Sequence, residues 1–354
     1  MKKEYDIIGV GNPLLDIIFE VEEALLISHK LKKGGMHLVT SAQSQKIFAG
    51  LKKYKKTFAP GGSAANTLSG VGVLGGKGLF LGSIGRDKHG DAYLQALSTS
   101  GVKTKLARHA KEKTGSAITL ITPGGERTFV TCLGAASCLR EEHIAEKDIQ
   151  KSKILHIEGY LLEEKNTRRA VLRAMNFARK HATLVSIDLS DAGIIMRKKV
   201  LIRNLIRKYA DIVFVNEDEA FAFTGEKERA ALEVIGDLCD IAVVKLGARG
   251  SLIKSQGQVY MVDPYRVVVM NTNGAGDMYA AGFLHGLAGG HEIPLAGQVA
   301  SCVAALVVSS PGARIHTRHH KKLKNVLKLY SQKKKKKLRP VVEFRPTKIL
   351  KTSK

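Results

Sequence analysis

Short apolar runs recur along the chain, with longer stretches of mixed polarity between them. Tyr5-Asp6-Ile7-Ile8-Gly9-Val10-Gly11 reads as a buried strand, and similar runs follow at residues 78–84, 154–158, 184–189, 212–216 and 241–245. Residues 167–181, 199–209 and 228–238 between them read as helices. Strands alternating with helices at this pitch predict the α/β class: a doubly wound, mostly parallel sheet with helices on both faces. Two regions depart from the alternation. Residues 17–39 hold short extended pieces around Lys32-Lys33-Gly34-Gly35. Residues 114–131 read as a hairpin, with the turn Pro123-Gly124-Gly125-Glu126 between two strands.

Residues 293–313 carry no charge, which raises the question of a membrane span. Pro294, Gln298, Ser301, Ser309, Ser310, Pro311 and Gly312 interrupt the stretch, and its apolar core is shorter than the roughly 20 residues a spanning helix needs. The expectation is a buried helix packed on the sheet and no membrane span. The 354 residues and 44% hydrophobic content are enough for a substantial core. No targeting segment is read at the start, since Met1-Lys2-Lys3-Glu4 leads straight into the first strand. Cys132, Cys138, Cys239 and Cys302 lack the spacing of a metal or disulfide framework, so free thiols in the cytoplasm are expected.

Charge is unevenly placed. Residues 318–354 hold 15 Lys or Arg against Glu343 alone, which makes +14 of the formal +25. Residues 321–330 read as one last helix, and the lysine run 333–337 reads as a disordered basic tail. Such a tail suits nucleic acid or an anionic surface through counter-ion release, or is simply a solvated end. Few aromatics interleave with it, so base stacking is not indicated.

The chemistry concentrates in Asn271-Thr272-Asn273-Gly274-Ala275-Gly276-Asp277, followed by a helix-compatible run. Glycines before a helix let the backbone approach an anion, and first-turn amides with the helix dipole favour negative charge there. A carboxylate at that point suits a base taking a proton from an attacking hydroxyl, although an aspartate there also suits a helix cap. Pro60-Gly61-Gly62-Ser63-Ala64-Ala65-Asn66 follows a strand-like Thr57-Phe58-Ala59, with Ser63 as the expected N-cap of the next helix. Asp16 lies just past the first strand, where open α/β sheets bind ligands, or is a turn residue. No Walker lysine loop, dinucleotide fingerprint or internal repeat is present.

Taken in order, these segments resemble the ribokinase-type (PfkB) carbohydrate and nucleoside kinases, over residues 5–317. The match includes Gly11-Asn12-Pro13-Leu14-Leu15-Asp16, the Gly61–Asn66 segment (residues 61–66) and Gly82-Ser83-Ile84-Gly85-Arg86-Asp87. It continues with Asn216-Glu217-Asp218-Glu219, with Val244-Lys245-Leu246-Gly247-Ala248-Arg249-Gly250 and with the Gly274-Ala275-Gly276-Asp277 stretch. The Gly-Asn-Pro-Leu-Leu-Asp start and Cys132-Leu133-Gly134-Ala135-Ala136-Ser137 are most similar to adenosine kinases.

The resemblance implies a ribokinase-like kinase domain over residues 1–317, with a small β-sheet lid from about 14–40 and 108–131 and a C-terminal extension over 318–354. It implies transfer of the γ-phosphoryl of ATP, with Mg2+, to a primary hydroxyl. Asp277 would be the base, and the amides around Asn273, Gly274, Ala275 and Gly276 the anion hole. Asp16, Asn12, Gly61, Gly62 and Asn66 would grip the acceptor, with Leu133, Gly134 and Tyr160 near a base. Tyr160 equally suits a half-buried aromatic at a strand end. Asn216, Glu219, Lys245, Gly247 and Gly250 would meet ATP, with Glu219 reaching the metal through water. Asn216 and Glu219 equally suit the first turn of a helix, and Lys245 a solvated strand end. Adenosine is the expected acceptor; a sugar such as ribose or fructose is the alternative, and a nucleic-acid-associated protein with a vestigial kinase fold is the rival of another class. The family places Asp where this chain has Asn271, which leaves dependence on a monovalent cation open. Oligomeric state is not legible.

Overall fold

The computed structural model describes residues 3–315. The expected last helix and the basic tail lie outside the described residues. The strands are β1 (Tyr5–Val10), β2 (Leu14–Glu20), β3 (Met36–Leu38), β4 (Lys56–Pro60), β5 (Gly78–Gly85), β6 (Lys103–His109), β7 (Gly115–Ile121), β8 (Arg127–Cys132), β9 (Ser152–Glu158), β10 (Leu184–Asp188), β11 (Ile212–Asn216), β12 (Ile241–Lys245), β13 (Ser251–Ser255) and β14 (Gln258–Val262).

Nine of them form one sheet in the order β14-β13-β12-β11-β10-β9-β1-β5-β6. It is parallel from β12 to β6, and β13 and β14 add an antiparallel edge. The period of two sends alternate residues to opposite layers. Ile8, Val213 and Val215 pack under the helices Lys165–Lys180, Ala192–Tyr209, Glu217–Thr224 and Glu228–Gly236. Ile7, Phe80 and Phe214 pack under Ser63–Val73, Ala275–Ala288 and Ile293–Val308. The fold is therefore a doubly wound α/β sandwich of ribokinase type. The chain leaves β1 for β5 and β6 on one side, then returns to place β9 on the other. That reversal at β1 and β9 is the topological switch point, where ligand crevices form at the carboxyl ends of strands.

One predicted boundary differs. The helix expected at 199–209 begins at Ala192, because Asp191 caps it by accepting from the Ile194 N–H at 2.9 Å, and Lys198 leaves helical geometry inside it. No described helix is long and apolar enough to cross a membrane. The uncharged stretch forms the helix Ile293–Val308, whose Val299, Cys302, Val303 and Leu306 are buried.

A second sheet has the order β3-β8-β7-β2-β4. It takes in β4 in addition to strands from the two segments that break the alternation. One face carries Ile17, Phe19, Ile118, Leu120 and Val130 against Leu26, Ile47 and Leu51. The other face presents Leu14, Asp16, Phe129 and Thr131 to a cavity. A one-residue shift of β2 would exchange Asp16 for the core side chain Ile17.

Candidate active site

The two sheets share a cavity of about 1330 Å³ at the carboxyl ends of the parallel strands. That exceeds the 300–1,000 Å³ typical of a pocket for one small molecule. At one end lie Asn12, Leu14, Asp16, Met36, Phe129 and Leu133; at the other, Asn216, Glu219, Gly247, Gly250, Pro264 and Tyr265. Gly274, Ala275, Gly276 and Asp277 line the same cavity, with Asp277 within electrostatic reach of both Asp16 and Lys245.

Gly274 is the N-cap of the helix Ala275–Ala288 at φ 74°, and a Cβ there would lie 2.3 Å from the carbonyl oxygen of Ala313. Only glycine fits that left-handed position against backbone. The Asn273 N–H is already taken by Asn271 Oδ1 at 2.9 Å, and that of Ala275 by the Thr272 carbonyl at 3.2 Å. The Gly276 N–H belongs to the first helical turn, which has no acceptor within the helix. Of the four amides expected to meet an anion, those of Gly274 and Gly276 are left without an acceptor among the described residues.

Asp277 makes no capping bond. Its carboxylate accepts from Ser63 Oγ at 2.7 Å and from Asn66 Nδ2 at 2.9 Å. Burial raises its pKa, against the opposing effect of those two hydrogen bonds. Ser63 is not the N-cap expected of it. Gly62, at φ 90°, holds that position, so Ser63 becomes the first helical residue and its hydroxyl is directed to Asp277.

Asp16 sits on the cavity face of β2, and burial pushes its pKa up to about 7. Gly61 backs its carboxylate so closely that a Cβ there would lie 2.4 Å from Oδ1. Gly61 and Gly134 do not line the cavity, whereas Gly62, Leu133 and Tyr160 do. The Tyr160 hydroxyl donates to the Ser190 carbonyl at 3.1 Å. Asn12 is buried, with its Oδ1 unpartnered among the described residues.

Asn216 and Glu219 form a reciprocal capping box on the helix Glu217–Thr224, and the Glu219 carboxylate accepts from Asn216 N at 2.9 Å and Nδ2 at 2.7 Å. Burial raises the pKa of Glu219. Lys245 is not a solvated strand end. Its Nζ pairs with Asp188 Oδ2 at 2.8 Å and would meet a Cβ on Gly276 at 3.1 Å. Burial opposes its charge, but Asp188, Glu219 and Asp277 together outweigh that and raise its pKa. Among the described residues no cluster of three or more His, Cys, Asp or Glu is placed to hold a metal ion.

The cavity wall thus combines a carboxylate with two glycine amides that have no acceptor among the described residues. The family model for "pfkB family carbohydrate kinase" matches residues 49–319. The chain belongs to the PfkB family. The 5-dehydro-2-deoxygluconokinase of Bacillus subtilis is 31% identical over 261 residues, covering 70% of this chain and 80% of that protein. A probable sugar kinase from Rhizobium etli superposes with a TM-score of 0.85 at 29% identity, covering 92% of this chain and 99% of that one. The adenosine kinase from Sinorhizobium meliloti gives 0.85 at 28% identity, covering 91% and 99%. A PfkB kinase is a phosphotransferase with an alcohol group as acceptor, and this chain is one.

Sequence reasoning passed over Glu158, Asp188, Arg127 and Arg314. Glu158 is buried at the end of β9, accepting from the backbone of Asn12 at 2.9 Å and of Ala64 at 2.8 Å, and burial pushes it up to about 7. It ties β1 to the helix that carries Ser63 and Asn66. Glu158 and Asp188 end predicted strands at the crevice, so their position was the available signal. Arg127 of β8 donates to Asn271 Oδ1, linking the second sheet to the glycine segment. Nothing local marks Arg127 or Arg314, because their partners lie 144 and 248 residues away.

Proposed function

We propose that this chain transfers the γ-phosphoryl group of ATP to the primary hydroxyl of a carbohydrate acceptor, with Asp277 as general base. The observation that carries the reading is the placement of Asp277. It follows directly on the Gly276 amide, which has no acceptor among the described residues, is held by Ser63 and Asn66, and lines a cavity with room for two ligands.

In this reading the acceptor lies at the second-sheet end. Asp16 accepts from two neighbouring hydroxyls, and the unpartnered Asn12 Oδ1 takes a further hydroxyl donor. A buried acceptor of this kind discriminates, because an analogue without the hydroxyl leaves it unpaired. Gly62 shapes that end by close backbone approach. Asn66 acts on the base rather than on the acceptor, since Asp277 and Arg314 occupy both ends of its amide. The carboxylate of Asp277 takes the proton as the acceptor oxygen attacks, and the Gly274 and Gly276 amides stabilise charge on the transferred group.

ATP lies at the other end, along Asn216, Gly247, Gly250 and the segment from Pro264 to Val269. Lys245, beneath Gly276, adds a fixed positive charge. Mg2+ bound with ATP supplies charge neutralisation on the phosphate oxygens. The donor set fits a hydrated ion: both Glu219 oxygens already accept from Asn216, so Glu219 would hold such an ion through water. Arg127 of the second sheet, held only by a neutral amide among the described residues, provides a cation near the phosphates once that sheet closes as a lid.

The carbohydrate reading of the acceptor is supported by the matched family and by the B. subtilis relative. The nucleoside reading, adenosine above all, is the second, favoured by the apolar wall of Leu14, Met36, Leu38, Phe129 and Leu133 and by Tyr160, which suit a flat base. ADP release with Mg2+ and ATP tests both, across 5-dehydro-2-deoxygluconate, ribose, fructose, adenosine, inosine and guanosine. Turnover with a sugar and none with nucleosides supports the first reading. Turnover with adenosine at micromolar concentration replaces the acceptor and keeps the mechanism. No turnover with any of them overturns both.

A further inference from the structure

Arg314 lies beyond the helix Ile293–Val308, outside the kinase motifs in sequence. Its Nε donates to Asn66 Oδ1 at 2.9 Å, and its Nη2 lies 3.4 Å from the Gly61 carbonyl. Nη1 is buried without a hydrogen-bond partner among the described residues. A guanidinium has donors only, whereas an amide has a donor end and an acceptor end. Arg314 therefore decides which way the Asn66 amide faces. With Oδ1 toward Arg314, Nδ2 must face Asp277, and it donates there at 2.9 Å. The opposite orientation would set donor against donor at Arg314 and acceptor against acceptor at Asp277. The same guanidinium lies within electrostatic reach of Asp16 and Asp277.

We propose that Arg314 is a positioning residue for phosphoryl transfer, which locks Asn66 in the orientation that holds the base and offsets the mutual repulsion of Asp16 and Asp277. The inference rests on the kinase reading above. It connects the acceptor carboxylate on the second sheet with the base in the helix Ala275–Ala288, through one side chain from the end of the described chain. The other charged groups facing the pair are fixed. Asp188 and Lys245 stand at the ends of β10 and β12, and Glu158 at the end of β9. Tyr93, whose hydroxyl donates to the Gly61 carbonyl at 2.9 Å, is the neighbouring neutral group.

The test compares Arg314→Met, Arg314→Lys, Asn66→Ala and the double variant Arg314→Met/Asn66→Ala with the unaltered protein, measuring kcat and KM against pH. Loss of the positive charge disfavours ionised Asp16 and Asp277, so the acid limb of kcat/KM moves to higher pH in Arg314→Met. Arg314→Lys keeps the limb in place, while its kcat stays low because an ammonium lacks the planar fork. The expected fall in kcat for Arg314→Met is about 10- to 100-fold, comparable to that of a misplaced catalytic group. If Arg314 acts through Asn66, the double variant is no slower than the slower single variant. Additive losses with an unmoved acid limb would overturn the proposal. Should the unaltered protein phosphorylate none of the acceptors, the kinase reading fails separately. Carbon-13 titration of the aspartate carboxyls then decides, with a move of Asp16 or Asp277 to higher pH in Arg314→Met expected and unmoved titrations overturning it. Should Arg314→Met fail to fold, Arg314→Lys and Asn66→Ala carry the same comparison.

Discussion

Asp277 and Asp16 are two half-buried carboxylates with different surroundings. Asp277 is held by two donors and faces Lys245. Asp16 has burial raising its pKa, with Arg314 opposing. Different roles follow. Asp277→Asn removes the proton acceptor while keeping the shape, and should lower kcat by about 10²- to 10⁴-fold. Its melting temperature should not fall, since a carboxylate destabilised by burial has been neutralised. Unchanged turnover would remove Asp277 as base. Asp16→Asn should instead raise the acceptor KM by about 10- to 100-fold with a smaller change in kcat, the pattern of lost binding common to ground and transition states. A fall in kcat with KM unchanged would place Asp16 in the chemistry. Both residues stood out in the sequence, Asp277 at a helix start and Asp16 just past β1, although Asp16 lies inside β2 and not at a strand end or in a turn. The hydroxyl and amide that hold Asp277 did not stand out, because Ser63 lies 214 residues from it.

At the scale of elements, two helix starts line the cavity. Gly274 begins one of them in a left-handed conformation against the Ala313 carbonyl. Gly274→Ala should cost about 1–3 kcal/mol of stability, the range for a strained backbone position, and reduce turnover through displacement of the Gly276 amide. Thermal denaturation beside steady-state rates checks this, and unchanged values in both would show that the segment has room. The second start is the capping box of Asn216 and Glu219. Elements with strong local pattern were readable: β1, β11 and β12 are nearly continuous apolar runs. β6, with its exposed and half-buried Lys103-Thr104-Lys105, and β13 and β14 were passed over. β6 and β14 are the edge strands and β13 lies beside β14; strands wetted on one side carry alternating polarity too weak to separate from a loop.

Across the whole molecule, burial raises Asp16 and Glu158 to about 7 and moves Glu219 and Asp277 in the same direction. A carboxyl whose folded pKa exceeds its unfolded one binds its proton more tightly in the folded state. Stability from these groups is fullest below about pH 4 and declines as pH rises to about 7. The sign for activity is the reverse, since the base must be ionised. Between pH 5 and 7.5 the melting temperature of the ligand-free protein should therefore change less steeply with pH in Asp16→Asn, while the unaltered protein gains turnover as pH rises. Differential scanning calorimetry at several pH values, beside kcat/KM, checks both; identical pH slopes for variant and unaltered protein would show that Asp16 titrates normally in the fold.

Local pattern by itself determined the α/β class, the glycine segment before Asp277, the order of the kinase motifs and the uneven charge. Each of these is written in neighbouring residues, through hydrophobic period, backbone freedom at glycine or the count of lysines. Only the tertiary structure decided that Ser63 serves Asp277 rather than a helix end, that Lys245 is paired with Asp188, and that Glu158 joins β1 to the helix of Asn66. It also decided that Arg314 closes the network behind the base. Those contacts span tens to hundreds of residues. What places them is which strand lies beside which at the switch point, and that follows from packing two sheets and two helical layers around buried side chains rather than from any local run of sequence.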